Sequence, residues 1–151
     1  LLIGVIYDPN QDDLFYAWKN GGAYLNGKSI SVSLTAKISD ALLATGFPYY
    51  DYQKIEGYID TLTWLMHNSR GIRRIGSAAI DLAYVACGRF DGFYEYSLNP
   101  WDVAAGSLIV IEAGGSVQDF EGGENYLFGK EILASNLHIK KQFLNRIKKC
   151  F

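Results

Sequence analysis

Two carboxylates seven positions apart, Glu95 and Asp102 in "FYEYSLNPWDVAAGSLIVIEAGG", have the residue types and the spacing to do chemistry. Asp102 stands between a large aromatic, Trp101, and a run of small residues that opens an apolar stretch of helical length. One reading makes it the helix N-cap, its side chain satisfying an orphan backbone N–H and its charge favoured by the helix dipole. The other makes it a metal ligand. Ala104, Ala105 and Gly106 leave the first turn bare of bulk, so another backbone or a ligand can come close. Trp101 can fix the path of the chain by packing. A carboxylate held rigidly beside open space suits a hard cation such as Mg²⁺. Glu95 closes a strand rich in aromatics, and ligands bind at strand ends in α/β sheets. Its plainer reading is a solvated side chain, since Glu is mostly exposed.

A second constellation is "GSAAIDLAYVACG". Gly76, Ser77 and Ala78 open a helix with small residues, so its free N–H groups can hold a ligand oxygen. An ordinary Ser N-cap accounts for the same residues. Asp8, Asn10 and Asp12 resemble the start of a calcium loop, but Asp13 sits where that loop needs Gly and Lys19 where it needs Glu. A polar hairpin turn is the better reading of "DPNQDD".

These residues need elements to position them. "LIGVIY" and "LFYAWK" read as two strands around that turn, and Asn26-Gly27 marks a second hairpin. Residues 1–36 are therefore antiparallel β, a poor independent unit that needs a partner surface. From residue 37 to 151 the pattern alternates. A strand over Ala41–Thr45 leads to a helix carrying Ile55, Ile59, Leu62 and Leu65 at helical spacing. "GIRRIG" is a short strand. The next helix has Ile80, Ala83, Tyr84 and Cys87 on one face and Gly88 as its stop. "FDGFYEY" is a strand, and a helix runs from Asp102 to Ala113. Strands "GSVQDF" and "KEILASN" follow, then an amphipathic C-terminal helix with a basic face. The order β, α, β, α, β, α, β, β, α predicts an α/β layered domain with a mixed, mostly buried sheet flanked by helices, preceded by hairpin strands that belong to an upstream sheet.

Composition narrows the class. The 151 residues are 49% hydrophobic and 15% aromatic, enough for a globular core. A net charge of -2 gives no broad attraction to nucleic acid or membrane, and no apolar run is long enough to span a bilayer. Two separated cysteines, Cys87 and Cys150, make neither a disulfide framework nor a zinc site, and a reducing cytoplasm is the default. The chain opens inside a strand pattern, and its one Met is Met66; this predicts that upstream sequence has been removed.

"WDVAAGSLIVIEAGG" resembles the C-terminal signature of the inositol monophosphatase family, a W-D-x-A-[AG] start with an E-A-G-G close. "GSAAIDLAYVACGRFDGFYE" is similar to the family segment just before it, with Glu at the same distance from the Trp-Asp pair. "GVIYDPNQDDLFYAWKNGGAYLNGKSISVS" is similar to its β-hairpin region, and "TGFPY" fits the bacterial members. The resemblance covers nearly the whole chain.

It implies Mg²⁺-dependent phosphomonoester hydrolysis of inositol monophosphate or related sugar phosphates by a metal-activated water. Asp102 would be a metal ligand. Glu95 would accept hydrogen bonds from substrate hydroxyls, and Gly76, Ser77 and Ala78 would line the sugar side. Asn99, where animal members have His, joins the substrate-binding set. Li⁺ would inhibit the complete enzyme. The family's further ligands, an upstream Glu and a D-P-[IL]-D-G-[ST] segment, do not occur here, and Asp8-Pro9 in the hairpin turn is not their equivalent. The metal site is thus incomplete, and this chain alone should be inactive. The resemblance also suggests a cytoplasmic homodimer, for which the aromatic-rich residues 15–24 offer a surface. The alternatives are a phosphatase for fructose 1,6-bisphosphate or phosphoadenosine phosphate in the same superfamily, or a non-catalytic binding or dimerisation domain. The compact 37–70 region argues against the first two.

Overall fold

In the computed structural model, which describes residues 1–48 and 50–151, a period-two pattern of side chains builds a first, antiparallel sheet. Its strands lie in chain order: β1 (Ile3–Asp8), β2 (Asp13–Trp18), β3 (Ala23–Leu25) and β4 (Lys28–Ile30). Asn26 and Gly27 have φ of 49° and 80°, the left-handed pair that a type I′ turn requires. They bring Leu25 opposite Lys28. Alternation puts Gly4, Ile6, Phe15, Ala17 and Ala23 on the buried face of this sheet.

The second sheet has the order β6-β5-β7-β9-β8. Strand β5 (Leu42–Thr45) is parallel to β6 (Gly71–Arg73) and to β7 (Gly92–Tyr96). Strand β9 (Glu131–Ser135) is antiparallel to both β7 and β8 (Ser116–Gln118). The sheet is mixed, as predicted, and all of β7 is buried. Phe93, Ala44, Ile132 and Ala134 face α2 (Ala78–Ala86) and α3 (Pro100–Glu112), which also receive Ile6, Phe15 and Ala17 of the first sheet. On the opposite face Leu43, Tyr94 and Leu133 pack with Tyr58 and Leu65 of α1 (Ile55–Asn68) and with Phe143 and Ile147 of α4 (Lys140–Cys150). The layers thus run sheet, helices, sheet, helices. Among the described residues, no helix is long and apolar enough to cross a membrane.

Polar ties lock these layers. The Asp91 carboxylate accepts hydrogen bonds from the Ser33 hydroxyl and the Leu42 N–H (2.6 Å), joining the chain after β4 to the second sheet. Arg89 pairs with Asp13 at 2.7 Å, and the Tyr84 hydroxyl donates to Asp8 at 3.1 Å.

Two helix faces differ from the sequence reading. In α1 the buried line is Tyr58, Thr61 and Leu65, and Ile59 is exposed. The sheet face over this helix is aromatic, so Tyr58 packs its ring against Tyr94 and Tyr96, with centroids 5.7 and 6.2 Å away. In α2 burial is nearly all-round because the helix lies between α3 and both sheets. Of the shared face Ile80, Ala83, Tyr84 and Cys87, Ala83 is fully buried and the other three are half-buried.

Candidate functional site

The ends of β5 and β7 and the starts of α2 and α3 meet at one cavity of about 390 Å³. Glu95, Asp102, Gly76, Ser77, Ala78 and Asn99 all line it. These six candidates come from three segments of sequence, and the parallel pairing of β5 with β7 brings the Thr45-Gly46 turn in beside them. Of "TGFPY", Gly46, Phe47 and Pro48 line the cavity, while Tyr49 lies outside the described residues.

Asp102 is not the N-cap of its helix. Asn99 takes that position, with extended backbone, and Pro100 follows at the first helical position, where its fixed φ and missing N–H are tolerated. Asp102 is the third helical residue. Its Oδ2 accepts the Asn99 N–H at 2.9 Å, the reach-back half of a capping box. The sequence reading missed this because Asp and Asn are equally good caps and both stand near the start. The bare first turn admits protein: a Cβ on Gly4 would lie 2.7 Å from the Ala105 carbonyl oxygen, and one on Gly106 would lie 2.5 Å from Leu82. Trp101, expected to pack, is 77% exposed on the cavity rim.

Glu95 is 7% exposed, contrary to the solvated alternative. Gly46 makes room for it, since a Cβ there would fall 2.1 Å from its carboxylate. Burial pushes the Glu95 carboxyl up to about 8, the charges of Asp81 and Asp102 add to the rise, and Arg74 opposes it. Ser77 occupies the N-cap position of α2 with extended backbone, yet its hydroxyl makes no capping bond. Gly76, with φ of 96°, turns the chain into the helix beside Arg74.

The sequence reading also missed Asp81, Arg74 and Ser97. Asp81, in the first turn of α2, is fully buried, and neither carboxylate oxygen has a hydrogen-bond partner among the described residues. Burial pushes it up to about 7 against the Arg74 charge. A lone carboxylate inside "AAIDLAYVA" was the available signal. Arg74 and Ser97 carried none, because only the fold brings them to the cavity wall.

The arrangement offers a buried acceptor for hydroxyls in Glu95, backbone N–H groups at the start of α2 for an anion, and a carboxylate for a cation in Asp102. Among the described residues no three His, Cys, Asp or Glu side chains converge as metal ligands, and Mg²⁺ needs more anionic oxygens than one carboxylate supplies.

The inositol monophosphatase family model matches residues 1–150. A protein named Nus factor SuhB from Escherichia coli (strain K12) is 45% identical over 146 residues, 97% of this chain and 55% of that protein. An inositol-1-monophosphatase from Mesorhizobium japonicum is 40% identical over 149 residues, 99% of this chain and 56% of that protein. The crystal structure of the extragenic suppressor protein suhB from Bartonella henselae superposes with a TM-score of 0.93 at 44% identity, covering 99% of this chain and 57% of that one. The chain spans about half the length of the curated relatives it matches.

Proposed function

The chain belongs to the inositol monophosphatase family, and on that premise we propose that it is the C-terminal portion of a Mg²⁺-dependent phosphomonoesterase acting on inositol monophosphate or a related sugar phosphate. The observation that carries this reading is the meeting of Glu95, Asp102 and the start of α2 in one cavity. Glu95 faces the hydroxyl-bearing end of the substrate, because a buried carboxyl held up to about 8 can both donate to and accept from hydroxyls. Ser77 and Ala78 line the same cavity. Asp102 contributes one charge to the metal centre, whose other ligands lie outside residues 1–151. When bound, the metal supplies a nucleophilic water and neutralises phosphate charge. Li⁺ inhibition belongs to that complete centre.

The remaining proposals follow the same premise. Residues 1–36 form the end of a larger sheet that continues past β1, whose outer edge is unpaired among the described residues, and residues 37–151 form the α/β domain. The stacked Tyr16, Trp18 and Tyr24 rings supply a homodimer contact. Two free cysteines support a cytoplasmic setting. A second reading, a non-catalytic binding protein, is favoured by the exposed apolar face of the first sheet.

Phosphate release decides between them. With Mg²⁺, the full-length enzyme should hydrolyse inositol 1-phosphate and lose the activity to a chelator, while residues 1–151 alone release no phosphate above background. Chelator-sensitive turnover by residues 1–151 would mean that the metal site is complete within this chain. No turnover of any ester by the full-length protein would leave the binding reading.

A further inference from the structure

Ser97 combines three features that no other described residue shares. It follows β7 with φ of 68°, a left-handed conformation that serine seldom adopts. It lines the cavity with Glu95 and Asn99. The residue is half-exposed on that wall, and its hydroxyl makes no hydrogen bond with any described residue, although a hydroxyl can both donate and accept.

Among the described residues, the other non-glycine residues with positive φ are Asp12, Asn20, Asn26 and Lys130. Asp and Asn tolerate the region, and these three sit in hairpin turns. Lys130 lies directly before β9, and its carbonyl accepts the Leu98 N–H at 3.1 Å. The chain therefore turns sharply on both strands just beyond the Tyr96–Glu131 pair. Glycine at position 97 would make that turn without strain. A side chain kept there at a conformational cost, its hydroxyl unpartnered among the described residues, marks a group held for a ligand.

We propose that Ser97 is a specificity-determining residue whose hydroxyl contacts a substrate hydroxyl neighbouring the one taken by Glu95. The inference rests on the polyol-phosphate reading above and extends it. The ligand class is a polyol monophosphate with at least two adjacent hydroxyls remote from the phosphate. Glu95 engages one of them and Ser97 the other. The two positions are two residues apart on the same chain, so they offer a pair of contacts rather than a single one.

Ser97→Ala and Ser97→Gly in the full-length enzyme separate this from a structural role. Alanine keeps the Cβ and the strained backbone but loses the hydroxyl; glycine loses both. In each variant the ratio of kcat/KM for inositol 1-phosphate to that for an aryl phosphate should fall about three- to tenfold, the value of one neutral hydrogen bond, through a raised KM for the polyol. Ser97→Gly alone should also raise the Tm by about 2–4 °C. An unchanged ratio in both variants overturns the proposal, whatever happens to the Tm. So does a fall in Ser97→Gly alone, which would assign the effect to the backbone. If the unsubstituted enzyme hydrolyses the aryl ester but not the polyol ester, the substrate class is wrong and Ser97 has nothing to read. If it hydrolyses neither, the phosphatase reading itself fails.

Discussion

The first sheet and the second draw on the same apolar vocabulary and bury it differently. In β1 every second residue is exposed: Ile3 is 72% and Val5 56% exposed, while Gly4 and Ile6 between them pack on α3 or in its core. In β7 all five residues are buried, Glu95 included. The difference follows from the layers. Helices α2 and α3 cover only one face of the first sheet, whereas the second has helices on both. Glu95 is on the doubly covered sheet, where burial makes a carboxylate's charge costly. Alternation thus marks a sheet with a face to spare, and a continuous apolar run marks one that can hold a perturbed group at its end.

Truncation tests this contrast most directly. Phe93 is fully buried in the core shared by α2 and α3, and Phe93→Ala should cost about 3–5 kcal/mol in urea unfolding of residues 1–151. Val5→Ala on the outer face of β1 should stay within about 0.5 kcal/mol. A Val5→Ala loss approaching that of Phe93→Ala would show that the outer face of the first sheet is covered in solution.

Asp102 and Glu95 divide the cavity itself. Asp102 sits on a helix start and receives one backbone N–H, a role worth about 1 kcal/mol that Asn can largely keep. If its charge is what counts, Asp102→Asn in the full-length enzyme should lower kcat about a hundredfold or more on every ester, a barrier rise of about 2.7 kcal/mol, with the fold intact by circular dichroism. Glu95→Gln should instead shift selectivity, cutting the ratio of kcat/KM for a polyol phosphate to that for an aryl phosphate about tenfold. Equal losses on both esters would move Glu95 to the metal centre, and a mild Asp102→Asn would make that residue a capping element only.

How far this was legible in the sequence differs between the two sheets. The hairpins of the first were plain, since period-two alternation and Asn26-Gly27 are local signals that the fold leaves alone. The elements of the second were legible in kind and order, but not in orientation. The burial of α1 turns on Tyr58, because the aromatic sheet above it accepts a ring, and spacing of Ile and Leu cannot reveal that. The start of α3 slipped by three residues because Pro100 and Asn99 outcompeted Asp102 for the terminus. In the cavity, Glu95 and Asp102 could be named from the Trp-Asp signature. Gly46 and Arg74 could not, because they reach Glu95 only through the parallel pairing of strands that are far apart in sequence.

The pH dependence of stability is the most direct measure of how dry the end of β7 is. Burial raises Glu95 to about 8 and Asp81 to about 7 in the folded chain, above their ordinary carboxyl values of 4.5 and 3.8. An acid whose pKa is raised by folding holds more protons folded than unfolded over the interval between the two values. Stability must then fall as pH rises through that interval. For Glu95 the window runs from 4.5 to about 8, and for Asp81 from 3.8 to about 7. Because the cavity admits some water to Glu95, we expect its share to be about 1–2 kcal/mol between pH 5 and 8. Urea unfolding of residues 1–151 at those two pH values should show the native sequence less stable at the higher one, and Glu95→Gln should remove part of that difference. Asp81→Asn should remove a separate part that is complete by pH 7, which distinguishes the fully enclosed carboxylate on α2 from the one at the cavity wall. A native chain that gains stability from pH 5 to 8, or a Glu95→Gln variant with an unaltered pH slope, would show that water reaches Glu95 freely and that the end of the second sheet is no drier than the outer face of the first.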